Sequence, residues 1–131
     1  MISKHKPVRD KKYLEWLRIF SCVNCHQYKN EYEDIVPAHQ TIPELKYISV
    51  KGTSIKEHDN WALPMHKTEH DVIEHMYGQK PKDRLTKIID LNMEYLFNYN
   101  TKLYAKVVEL MPQLNEVQVL EYITRNWKQV Y

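Results

Sequence analysis

Only two glycines interrupt this chain of 131 residues. The long runs without a breaker argue for a mostly helical fold with one short irregular region. No stretch approaches the roughly 18 consecutive apolar residues of a spanning helix. With 27% charged residues and a mean hydropathy of -0.66, a membrane-embedded chain is not the expectation. Behind the basic start, with Lys4 and Lys6, no apolar run follows, so no secretory signal is expected and a cytoplasmic location is the default. Cysteine is scarce too: Cys22 and Cys25 stand three positions apart, too close to staple a fold by closing a long loop. In a reducing compartment such a pair reads as a metal clip or a redox dithiol. The net charge of +2 is mild, so a polyanion would have to be held by a local patch. There are no internal repeats and no low-complexity tract. A mass of 15.9 kDa with 43% hydrophobic residues fits one small globular domain and excludes multi-domain machinery.

Histidine is what the sequence has in excess: seven residues, six of them between positions 26 and 75. Around them the chain is organised in two halves. From Asp10 to about Ile19 the residues Tyr13, Leu14, Trp16, Leu17 and Phe20 recur at helical spacing, with Asp10 placed as N-cap. This helix runs into the Cys22–Cys25 knuckle. Between Tyr32 and His39, the run Ile35, Val36, Pro37, Ala38 reads as a short edge strand, because proline biases its predecessor away from helix. Residues 40–58 read as a loop that returns the chain to a second short strand around Asn60–Leu63. A helix is expected over His66–Tyr77, capped by Gly78. From Pro81 onward, Leu85, Ile88, Ile89, Met93, Leu96 and Phe97 begin a series of two or three amphipathic helices, broken at Pro112. Tyr95, Phe97, Tyr99, Tyr104, Tyr122 and Trp127 read as core aromatics of that helical cap.

The chemistry lies in the first half. Structural zinc takes four soft or borderline ligands in a tetrahedron, commonly from two knuckles. Cys22 and Cys25 supply one. His66 and His70, an H-x3-H about 40 residues later, supply the other if both lie on one helix face. The same helix carries Asp71 and His75, also at i and i+4, displaced by about 140° from the first pair. Such a helix presents two ligand faces, one closing the zinc knuckle and one looking toward His39 on the hairpin. For every one of these residues a plain structural role competes: buried thiols, a solvated helix face, or a first-turn carboxylate favoured by the helix dipole.

This arrangement resembles the HNH, or ββα-metal, endonucleases, and residues 9–78 carry the resemblance. The branch it resembles most is that of the zinc-knuckled, phage-encoded, recombination-associated HNH nucleases. They share an aromatic-rich helix leading into a C-x2-C. They also share a stretch here matched in order by Lys56, His58-Asp59, Leu63-Pro64-Met65-His66 and His70-Asp71-Val72-Ile73-Glu74-His75 with Gly78. The resemblance implies an α+β, mainly helical fold. Its nuclease core, over residues 1–80, would be ββα-metal and treble-clef-like with a zinc knuckle. An N-terminal helix would flank it, and a C-terminal helical extension over residues 81–131 would pack on it within a single domain.

By the same resemblance Cys22, Cys25, His66 and His70 would hold structural zinc, while Asp71 and His75 would hold a catalytic divalent metal. His39 would be the general base, with Asn60 or Asp59 holding its imidazole in the right tautomer. An aspartate where the branch has histidine favours magnesium or manganese. The implied activity is metal-dependent hydrolysis of DNA phosphodiester bonds, with little sequence specificity, in phage replication or recombination alongside a protein of that process. Lys51, Lys56 and Lys67 would contact the DNA backbone. Ala38, where many members carry a metal ligand, keeps a second expectation open: a non-catalytic zinc-bound module that binds nucleic acid or protein.

Overall fold

Asp10 starts the first helix as its position suggests. Its extended backbone (φ -145, ψ 91) lets the carboxylate accept the Tyr13 N–H, capping α1, Lys11–Leu17. With two turns available, α1 buries Tyr13 and Leu17, one turn apart, and stops short of the expected end, leaving Ile19 exposed. The computed structural model describes residues 6–23, 28–30, 34–50, 56–67 and 81–127.

Two strands follow, β1 (Ile35–His39) and β2 (Ala62–His66), paired antiparallel with Ile35 opposite His66, Pro37 opposite Pro64 and His39 opposite Ala62. A proline in each strand would ordinarily cost a ladder bond. Here the Pro64 carbonyl turns away from β1 to accept the Val23 N–H at 3.0 Å. The 37/64 pair is therefore one that exchanges no ladder bonds, and neither missing N–H is felt. β2 begins two residues later than the sequence pattern suggests, because Asp59–Trp61 forms a tight 3₁₀ turn first. His66 is thus the last residue of a strand, not the first of a helix, held there by its pairing with Ile35. The helix expected after it lies, from residue 68 to 80, outside the described residues. The loop between the strands is not featureless: Pro43–Ile48 forms 3₁₀ turns that bury Leu45 and Ile48.

The second half is three helices: α2 (Pro81–Tyr99), α3 (Thr101–Leu110) and α4 (Glu116–Asn126), with a 3₁₀ turn at Met111–Gln113 on the expected breaker. Asn100 caps α3, accepting the Leu103 N–H. Asn115 and Gln118 form a reciprocal capping box on α4. The chain is therefore α+β and mainly helical, with one small two-stranded sheet among the described residues.

A single apolar cluster joins the halves: Tyr13 and Leu17 of α1, Trp61, Leu63 of β2, Ile88 and Tyr95 of α2, and Leu120 and Ile123 of α4. Tyr95 stacks on Trp127 with ring centroids 5.7 Å apart and meets Tyr13 edge-on at 4.9 Å. Phe97, expected inside, is exposed, with its ring in edge contact with Tyr104. Among the described residues no helix is long and apolar enough to cross a membrane.

Candidate functional site

Residues 8–10, just ahead of α1, lie along residues 56–59, just ahead of β2, and are laced to them by short hydrogen bonds. The Asp59 N–H donates to the Val8 carbonyl at 3.0 Å. The Val8 N–H donates to His58 Nδ1 at 2.9 Å. His58 Nε2 lies 2.7 Å from the Ile48 carbonyl, so this buried imidazole donates there and accepts from Val8, the pattern of a neutral ring. The Arg9 guanidinium clamps the same segment, donating to the Lys56 and Glu57 carbonyls at 2.6 and 2.8 Å. Glu57 in turn accepts from the Val50 N–H and the Ser49 hydroxyl.

This lacing sets the position of Asp59. Its Oδ2 accepts the Asp10 N–H at 2.7 Å, and its Oδ1 lies 2.9 Å from His39 Nε2, with Arg9 Nη1 at 3.5 Å from the same oxygen. Asp10 is itself buried and shared between tasks, one carboxylate oxygen capping α1 and the other accepting the Trp127 indole N–H at 2.9 Å.

Burial alone would raise the Asp59 carboxyl. The hydrogen bonds from His39 and the Asp10 amide, with the charge of Arg9 beside them, outweigh it and hold the group below the ordinary carboxylate range. Asp59 is therefore an anion in a water-poor position. An anionic acceptor at Nε2 keeps the His39 proton there, which leaves the Nδ1 lone pair as the base. Among the described residues nothing bonds Nδ1. The His39 side chain is 13% exposed, open enough for a water to reach it.

The two candidates for orienting His39 separate cleanly. Asp59 touches it. Asn60, the next residue, turns the other way and is fully buried, so the expected Asn60 contact with His39 is not made. The Asn60 amide donates to Asn92 Oδ1 at 3.0 Å and to Thr124 Oγ1 at 3.1 Å. Asn92 returns a bond to the Asn60 carbonyl at 2.8 Å and reaches the Tyr13 hydroxyl at 2.9 Å. Thr124 also accepts the Trp61 indole N–H, and its own hydroxyl donates to the Leu120 carbonyl. A buried polar network from α2 and α4 thus grips the turn that carries Asp59. Neither Asn92 nor Thr124 stands out in the sequence reading. The available signal is their place on apolar stripes: Asn92 falls in line with Leu85, Ile88, Ile89 and Leu96, and Thr124 with Leu120 and Ile123.

Of the expected zinc ligands, Cys22 and His66 are described and both are buried. The chain after Cys22 meets β2 at two points: the Val23 N–H donates to the Pro64 carbonyl, and the Tyr28 carbonyl lies 3.1 Å from His66 Nε2. A ring nitrogen set against a backbone carbonyl is a backing common among histidine ligands. A thiol and a backed imidazole suit zinc. Among the described residues no group of three or more His, Cys, Asp or Glu is placed to hold a metal ion. Cys25, His70, Asp71 and His75 lie outside the described residues, as does Lys51. Lys56 and Lys67 are exposed, before and after β2.

No family model matches this chain, and no curated protein and no solved structure matches it.

Proposed function

We propose that the chain is a metal-dependent endonuclease of the HNH type that hydrolyses phosphodiester bonds of DNA. The single observation that supports this most is the His39–Asp59 pair. An imidazole at the end of one short strand is fixed by a buried carboxylate at the entry to its antiparallel partner. In this reading Asp59 holds the Nε2–H tautomer, and His39 Nδ1 takes the proton of the attacking water. Arg9 and the Asp10 amide keep Asp59 charged and in place. A divalent ion, magnesium or manganese, would supply Lewis acidity for the scissile phosphate and the leaving oxygen. Asp71 and His75 are the residues to hold it. Zinc on Cys22, Cys25, His66 and His70 would have a structural role only, pinning the 22–28 segment to β2 and completing a ββα-metal core.

Backbone contact through Lys51, Lys56 and Lys67 gives little sequence preference. The setting, phage replication or recombination with a recruiting protein, rests on the resemblance alone. Incubation of supercoiled plasmid with the protein and magnesium or manganese tests the activity. The wild type nicks in a chelator-sensitive way, and His39→Ala abolishes nicking with fold and zinc content unchanged. Undiminished nicking by His39→Ala removes the base. Absence of nicking with any metal leaves the non-catalytic zinc-bound module as the better reading.

A further inference from the structure

Arg84 lies in the early part of α2, half-buried against the residue that follows His39. One guanidinium nitrogen, Nη1, donates to Gln40 Oε1 at 3.2 Å. Gln40 is buried, and its own amide donates to the Ala38 carbonyl at 2.9 Å, so the chain of contacts fastens the guanidinium to the backbone on both sides of His39. Arginine has five N–H donors in a planar fork. Among the described residues the Gln40 bond is the contact made by this one, and Nε is buried with no acceptor. No carboxylate of the described residues lies within ion-pair distance of it. Arg9, by contrast, spends its donors on the Lys56 and Glu57 carbonyls and on Asp59.

A cation that is partly withdrawn from water, oriented by a neutral amide and without a counter-charge among the described residues is a receptor for an anion with several acceptor oxygens. The planar fork suits two oxygens of a tetrahedral group better than one carbonyl. We infer that Arg84 is a phosphate-binding residue, and that its ligand is a backbone phosphate of the DNA strand brought to His39. In naming that ligand the inference rests on the nuclease reading. The anion site itself does not.

The site can be read without turnover. The 1H–15N resonance of Arg84 Nε–H, assigned by its disappearance in Arg84→Lys, is followed in the wild-type protein with chelator present. The titrants are inorganic phosphate at constant ionic strength and a short DNA duplex. A saturable shift with both is expected. In duplex binding, Arg84→Gln should weaken affinity about tenfold and lower the salt-dependence slope by about one phosphate contact. A purely structural link to Gln40 predicts no response to phosphate. A resonance that stays in place in both titrations overturns the site, even if the wild type nicks plasmid and the nuclease reading stands. A shift with phosphate that the duplex does not reproduce overturns the DNA assignment. A shift with both in a protein that never nicks keeps Arg84 as a phosphate site and removes the nuclease reading instead.

Discussion

Asp59→Asn is the substitution that probes the candidate site most sharply, because it keeps the shape and removes only the charge and one acceptor. The carboxylate accepts at both oxygens, from the Asp10 N–H on one and from His39 on the other. An asparagine has one oxygen and one NH2, so the two demands cannot both be met. The shorter bond, 2.7 Å from a backbone N–H that cannot move its proton, claims the oxygen. The NH2 then faces His39 Nε2, and the ring can accept it only by moving its own proton to Nδ1. The nitrogen proposed as the base is lost.

Charge-assisted bonds exceed neutral ones by roughly 1 kcal/mol each. The Arg9 contact, 3.5 Å long with a side chain 41% exposed, adds little. The expected loss of stability is about 2 kcal/mol, a fall in melting temperature of about 8 °C at this chain length. The activity loss is far larger, about 10³-fold or more, because a base in the wrong tautomer is no base. The assay is 15N NMR of the imidazole beside plasmid nicking. If His39 keeps its proton on Nε2 in Asp59→Asn and nicking stays within about threefold of wild type, the assigned role of Asp59 is wrong.

Other outcomes follow from the same contacts. Because Asp59 is held below the ordinary carboxylate range in the fold, its contribution to stability is complete above the unfolded value near 3.9. It is withdrawn as pH falls through the folded value, so melting curves of wild type and Asp59→Asn should converge in acid. Asn92→Ala removes the partner of the Asn60 carbonyl and of the Tyr13 hydroxyl and leaves the Asn60 amide with Thr124 alone. Urea unfolding should show a loss of about 3 kcal/mol, and nicking should fall with it although Asn92 makes no contact with His39. Elemental analysis should find one zinc per chain, and Cys22→Ser should lower both zinc content and melting temperature. A metal-free wild type of equal stability would argue against the knuckle.

What was legible in the sequence is what neighbouring residues decide among themselves. Asp10 caps α1 through a bond three residues long, and Pro37 stands in a strand with Ile35, Val36 and Ala38, each decided within a few residues of chain. The apolar spacing after Pro81 also specifies two or three helices without reference to anything outside them, and three form. The sequence pattern places His66 in a helix, because the His66–His70 spacing suits one, and pairing with Ile35 makes it a strand end instead.

Asp59 and Asn60 are adjacent, polar and equally placed in the pattern, so no local rule says which one meets His39. That choice belongs to the tertiary structure. The arm at residues 8–10 draws Asp59 outward to His39, while Asn92 and Thr124 draw Asn60 inward, through contacts spanning 32 to 64 residues of chain. Adjacent side chains of a three-residue turn face opposite ways, and it is the packing on either side that determines which side chain each side receives.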